Sequence, residues 1–151
     1  MNLKVGDKAP GFSLRDQNGN SVSLDGYLGK KVIVFFYPKD DTPGCTVEAC
    51  NFRDDFELYE EKNAVLIGIS KDGEESHKKF ISKFNLPFTL LCDEDHAVAE
   101  AYGAWGEKSM YGRKYMGIVR TTVVVDAEGN VEQIYEKVKP KDHSKELLGV
   151  L

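Results

Sequence analysis

Residues Val32-Ile33-Val34-Phe35-Phe36-Tyr37 form an apolar run with no polar alternation. A strand of this kind is buried on both faces, so it belongs at the centre of a sheet covered by helices. The rest of the chain supplies the neighbours. Residues 64–70 and 88–92 read as further strands, the second following Pro87. Helical patterns fall between them, over 43–62, 73–84 and 94–102, with Phe80, Ile81 and Phe84 on the inner face of the second. Residues 12–15 and 21–24 flank Asp16-Gln17-Asn18-Gly19-Asn20, an N-terminal β-hairpin around an Asn-Gly turn. Residues 119–126 and 131–138 form another hairpin across Ala127-Glu128-Gly129-Asn130. The tail from Asp142 reads as a helix with Leu147, Leu148 and Leu151 inward. Residues 103–117 are the least regular stretch and are expected to be a surface loop. Strands alternating with helices, bracketed by hairpins, give the α/β class: a mixed central sheet flanked by helices.

The chain has 151 residues, enough for one domain with a sizeable core, and residues 1–151 are read as a single domain. A hydrophobic fraction of 41% beside 30% charged residues is ordinary for a soluble globular protein. The net charge of −5 speaks against a nucleic-acid or anionic-membrane partner, leaving open only a local basic patch. No apolar run approaches the length of a membrane span. The start Met1-Asn2-Leu3-Lys4-Val5-Gly6-Asp7 lacks the apolar core of a signal peptide and is not an Arg-rich transit sequence, so a cytoplasmic location is expected. Three cysteines do not make a secreted disulfide framework. In a reducing compartment a close pair among them points to catalysis or metal binding.

That pair is Cys45 and Cys50. Thr42-Pro43 is a helix-start signal, with Thr at the N-cap and Pro at the first helical position. Its hydroxyl is expected to accept from an N–H at the second or third position. Cys45 then falls in the first turn, beside free backbone N–H groups and the positive end of the helix dipole, where the thiolate is favoured. A plainer reading stands beside this one. Cys45, Ala49, Phe52, Phe56 and Tyr59 follow a 4-3-4-3 spacing, a core-facing stripe in which Cys45 is a small apolar residue. Both hold if the stripe meets a pocket. On an ideal helix, residues five apart have Cα atoms roughly 8 to 9 Å from one another, whereas a disulfide wants about 4.4 to 6.8 Å. A Cys45–Cys50 bond therefore requires the first turns to unwind, and Gly44 with its sparsely anchored neighbours makes them easy to melt. A metal site is the rival. Its usual signature is a C-x-x-C pair with further ligands, and here Cys92, His77, His96 and His143 are scattered without that pattern, so no metal or other cofactor is expected. Cys92 ends a buried strand and reads as structural. Lys39, Asp40 and Asp41 read as a solvated loop whose side chains point outward. Trp105 and Tyr111 read as surface-packing aromatics, with the lining of a peroxide or reductant site as the alternative, and Arg120, from the residues alone, as a surface charge at a strand start.

Pro38-x-x-x-Thr42-x-x-Cys45 resembles the peroxiredoxin signature Pro-x-x-x-Thr/Ser-x-x-Cys. The stretch from Phe35 through Cys50 is similar to the bacterioferritin comigratory protein (Q-type) branch, as are residues 5–12, 111–122 and 137–140, so the likeness runs over nearly the whole chain. The resemblance implies a thioredoxin-like fold and a thiol-dependent peroxidase of antioxidant defence that acts on hydrogen peroxide and organic hydroperoxides. It makes Cys45 the peroxidatic cysteine, oxidised to a sulfenic acid, and Cys50 the resolving cysteine that closes an intramolecular disulfide. Thr42 would hydrogen-bond the thiolate or peroxide. Arg120 would stabilise the thiolate and hold the two peroxide oxygens. Pro38 would shield the sulfur, and the N–H groups of Gly44 and Cys45 would stabilise charge in the transition state. Thioredoxin or a similar dithiol would restore the pair. A monomer is implied, with a weak homodimer as the alternative. Two other classes stay on the table: a thiol–disulfide oxidoreductase, which normally carries C-x-x-C where this chain has Thr42 three before Cys45, and a non-enzymatic redox switch.

Overall fold

The computed structural model describes residues 3–151, so Met1 and Asn2 of the leader reading lie outside the described residues. In chain order the elements are β1 (Ser13–Asp16), β2 (Ser21–Ser23), a 3-10 turn (Leu24–Tyr27), β3 (Lys31–Phe36), α1 (Pro43–Asp54), α2 (Phe56–Glu61), β4 (Ala64–Ser70), α3 (Glu74–Phe84), β5 (Thr89–Cys92), α4 (Ala97–Ala101), β6 (Trp105–Met110), β7 (Arg113–Ile118), β8 (Thr121–Val125), β9 (Val131–Tyr135) and α5 (His143–Leu148). Among the described residues no helix is long and apolar enough to cross a membrane.

The apolar run sits where its composition demands. β3 is central in a seven-stranded mixed sheet ordered β2-β1-β5-β4-β3-β8-β9, parallel to β4 and antiparallel to β8. Its side chains alternate between two cores. Val32, Val34 and Phe36 join a cluster with Phe12, Ala99 and Tyr102 on one face. Ile33, Phe35 and Tyr37 join Cys45, Ala49, Phe52, Phe80 and Leu147 on the other. So α1, α2, α3 and α5 cover one side of the sheet, while α4 and the N-terminal segment cover the other.

Three expectations are corrected. The helix read as 43–62 is broken at Asp55, whose backbone (φ −96°, ψ 4°) ends α1 and starts α2. The cause is tertiary: the Asp55 carboxylate is drawn to Ser144 and Lys145 on α5. Residues 103–117 are not an irregular loop. Strands β6 and β7 pair antiparallel from Trp105↔Ile118 to Met110↔Arg113. Their two-residue turn places Tyr111 (φ 51°) and Gly112 (φ 79°) in the left-handed region, the conformation of a tight hairpin. Finally, Asp40 does not point outward; it is buried, for reasons given below.

Candidate active site

Cys45 lies in the first turn of α1, at the C-terminal end of the parallel strands, and is buried at 2% exposure. The stripe reading holds too, since Cys45, Ala49, Phe52 and Tyr59 all enter one core cluster. Thr42 occupies the N-cap with extended backbone (φ −97°, ψ 156°), but its side chain does not cap the helix. The hydroxyl instead donates to the Lys39 carbonyl at 2.9 Å. Pro43 has no N–H, and the Thr46 N–H is the first to bond back, to Thr42 O at 2.8 Å. The N–H groups of Gly44 and Cys45 therefore find no partner among the described residues. A helix start with its donors unspent is a site for developing negative charge.

Arg120 comes from the short link between β7 and β8. Its Nη2 donates to Cys45 Sγ at 3.2 Å, and its Nη1 to Glu48 Oε1 at 3.1 Å. A Cβ on Gly44 would lie 3.2 Å from Arg120 Nη2 and 3.6 Å from Pro140 Cγ, so a side chain there would require the guanidinium to give by a few tenths of an ångström. Burial works against the charge on Arg120, but Glu48 and Cys45 outweigh it and raise the pKa of the guanidinium. The surface-charge reading of Arg120 is thus set aside by position. Pro38 is half-buried just past β3. Cys50 sits half-buried on the same intact helix, and Cys45, Cys50 and Cys92 are all free thiols.

Glu48 was not anticipated. It is 1% exposed, Oε1 pairs with Arg120, and Oε2 has no partner among the described residues. Burial pushes its carboxyl up to about 7, against the pull of Arg120. Its signal in the sequence is its place: three residues after Cys45 and four before Phe52, a charge on the core face of the helix. Lys108 of β6 also leans toward the site. Its ammonium donates to Ile118 O at 2.9 Å, and burial and Arg120 lower its pKa while Cys45 raises it. Cys92 stands apart at the end of β5, where burial, with Glu94 next in weight, pushes its thiol up to about 11. Few thiolates exist at neutral pH at such a position, so it is inert there.

The histidines are not as scattered as their spacing suggests. His77 meets Asp40 and Asp72, and one ligand-type atom from each lies within 4.8 Å of the others. These atoms are already engaged with one another and with Tyr37, Ser70, Ser76 and Leu91. The group is a closed hydrogen-bond network rather than an open ligand set. His96 is at the start of α4 and stacks on Trp105 with centroids 3.8 Å apart, while Tyr111 is fully exposed at the hairpin tip.

Known proteins resemble this chain over its whole length. The profile described as the AhpC/TSA family matches residues 5–134. Peroxiredoxin Bcp of Bacillus subtilis is 48% identical over 151 residues, covering 100% of this chain and 96% of its own. The structure of the Xanthomonas campestris bacterioferritin comigratory protein, described for its alkyl peroxide reduction activity, superposes with a TM-score of 0.90 at 32% identity, over 98% of this chain and 94% of that one. A mutant of Xylella fastidiosa PrxQ gives 0.93 at 28% identity, over 99% and 96%.

Proposed function

The chain belongs to the AhpC/TSA family, among its Bcp-type peroxiredoxins, and from that premise we propose that Cys45 is its peroxidatic and Cys50 its resolving cysteine. Peroxiredoxins are thiol-dependent peroxidases, acting on peroxides and recycled by thioredoxin-type dithiols. The observation that carries the assignment is the Arg120 guanidinium 3.2 Å from Cys45 Sγ, at a helix start whose first N–H groups are unspent.

The cycle runs in three steps. The Cys45 thiolate attacks the hydroxyl oxygen of ROOH; an S–O bond forms as the O–O bond breaks, and the departing alkoxide takes a proton from solvent and leaves as ROH. Sulfur is oxidised to the sulfenic acid and the peroxide is reduced. Arg120 and the N–H groups of Gly44 and Cys45 face the charge that builds on the oxygens. The Thr42 hydroxyl, donating its O–H to Lys39 O, keeps lone pairs for the hydroperoxide O–H. Pro38 and Gly44 shape the entrance. Cys50 then attacks the sulfenic acid, water leaves, and a disulfide forms after the front of α1 unwinds. A thioredoxin-type dithiol reduces it by exchange. We place this activity in a one-domain monomer of the cytoplasm.

Stopped-flow oxidation by hydrogen peroxide, with mass spectrometry of the product, tests the assignment. Wild type is expected to end as a Cys45–Cys50 disulfide, and Cys50→Ser to stop at a Cys45 sulfenic acid. Oxidation no faster than that of an ordinary thiol, or a disulfide through Cys92, would remove it.

A further inference from the structure

The loop from Pro38 to Thr42 has no regular structure, yet one of its peptide units is gripped at both ends. The unit joining Lys39 to Asp40 donates its N–H to Asp72 Oδ2 at 2.8 Å. Its carbonyl accepts the Thr42 hydroxyl at 2.9 Å. Asp72 is itself held by Ser70 Oγ at 2.7 Å, at the end of β4. The Asp40 side chain is pinned independently. It accepts the Tyr37 hydroxyl at 2.6 Å and Ser76 Oγ at 2.8 Å, and its Oδ2 faces His77 Nδ1 at 2.7 Å. His77 Nε2 lies 2.9 Å from Leu91 O on β5. A carbonyl only accepts, so Nε2 is the donor in that bond. Beyond this anchor the chain turns through Asp41 in the left-handed region (φ 57°) into Thr42. Three parallel strands and α3 thus converge on the peptide plane that orients one hydroxyl.

We propose that Asp72, backed by the Asp40–His77 pair, is a positioning group for Thr42: it fixes the Lys39–Asp40 peptide plane, whose carbonyl accepts the hydroxyl O–H and leaves the Thr42 lone pairs for the hydroperoxide. The inference rests on the reading of Thr42 given above. Asp72 never touches the peroxide and acts only through the plane. A hydroxyl free to rotate would offer its proton as often as its lone pairs, and the bound peroxide would lose its orientation.

Two rates separate positioning from mere structure. Reaction of Cys45 with peroxide needs the oriented hydroxyl; alkylation of Cys45 by iodoacetamide needs only an accessible thiolate. Asp72→Ala is expected to slow peroxide oxidation on the order of 10- to 100-fold. It should leave alkylation of the Cys45 peptide within about threefold of wild type. Asp72→Asn keeps an acceptor oxygen and is expected to restore most of the loss. In a Thr42→Val background, Asp72→Ala should cost nothing further, since both act through one hydroxyl. Should Asp72→Ala not fold, Ser70→Ala frees the carboxylate to turn away and reads the same quantity at smaller amplitude. Thr42→Val oxidised at the wild-type rate would overturn the role of Thr42 and the inference with it. A slow Thr42→Val beside a wild-type-like Asp72→Ala (or Ser70→Ala, where that variant stands in), a parallel loss of alkylation, or an undiminished Asp72 effect without the hydroxyl would overturn the inference alone.

Discussion

A carboxylate buried against the nucleophile is an expensive residue to keep, and Glu48 shows what it is kept for. Oε1 holds the guanidinium of Arg120 while the other arm of that guanidinium reaches Cys45. Oε2 receives nothing among the described residues. Buried ion pairs contribute little net stability, so the pair is better read as fixing the direction of Arg120. The pKa gives the sign of its cost. Burial raises Glu48 from 4.5 to about 7, so between those values the folded chain holds a proton that the unfolded chain has released. Stability then falls as pH rises from about 4.5 to 7 and stays low above, by on the order of 3 kcal/mol. Glu48→Gln is expected to abolish that slope, and its stability relative to wild type should rise from pH 5 to pH 8. At the same time it should slow Cys45 oxidation by up to roughly tenfold, because a neutral amide oxygen holds the Arg120 guanidinium less firmly than a carboxylate. Urea unfolding at both pH values and stopped-flow oxidation check the two halves. Stability curves that run parallel would mean that Glu48 ionises as an ordinary carboxylate.

At the scale of elements, α1 is fastened unevenly. Its rear is locked: Phe52 is fully buried, Asn51 Nδ2 donates to Lys141 O at 2.8 Å and Pro140 O at 3.3 Å, and Arg53 Nη1 donates to Phe84 O at 2.8 Å. The front has no cap bond, begins Pro43-Gly44, and its side-chain hydrogen bonds are those of Arg120 to Cys45 and Glu48. Oxidation of Cys45 changes one of those two bonds directly. The unwinding that a Cys45–Cys50 disulfide demands therefore has a natural boundary at Asn51, held by the segment leading into α5. Hydrogen exchange read by mass spectrometry should show amides 46–50 losing protection on oxidation while those from Phe52 onward keep theirs. Asn51→Ala should let the loss spread toward Asp54. Protection lost evenly along α1 would mean that the helix detaches as a unit and that the rear clamp is irrelevant to resolution.

At the scale of the whole molecule, the sequence was most legible where burial dictates pattern. The run of β3, the stripe of α1 and the inward leucines of α5 could be read because each repeats a periodicity that the core enforces, and the β1–β2 hairpin because Asn18-Gly19 signals its turn. What escaped was set by contacts between distant segments. The break at Asp55 depends on α5 and the burial of Asp40 on α3, and the place of Arg120 beside Cys45, legible through the family resemblance but not from the residues alone, on the register of β8, which local propensity does not encode. The β6–β7 hairpin escaped for another reason: most of its residues are exposed, so no apolar alternation marks it, and only Tyr111-Gly112 signals the turn. The same long-range packing makes the site sensitive to a residue far from it in sequence. Gly68 lies in the middle of β4, and a Cβ there would come within 2.7 Å of Leu90 Cδ2 and 2.8 Å of Phe35 Cζ. Phe35 in turn packs on Phe52 of α1 with centroids 4.7 Å apart, and on Phe88 at 5.6 Å. The missing side chain lets the Phe35 ring lie across the neighbouring strand and meet the helix that carries Cys45. Gly68→Ala is expected to destabilise the fold by about 1 to 3 kcal/mol through overpacking. It should also slow peroxide oxidation, because the displaced ring pushes α1 through Phe52 and shifts Cys45 against Arg120. Chemical denaturation and stopped-flow oxidation measure both. A destabilised variant with wild-type oxidation would show that α1 absorbs the push before it reaches the first turn, and wild-type stability would show that the ring simply tilts aside.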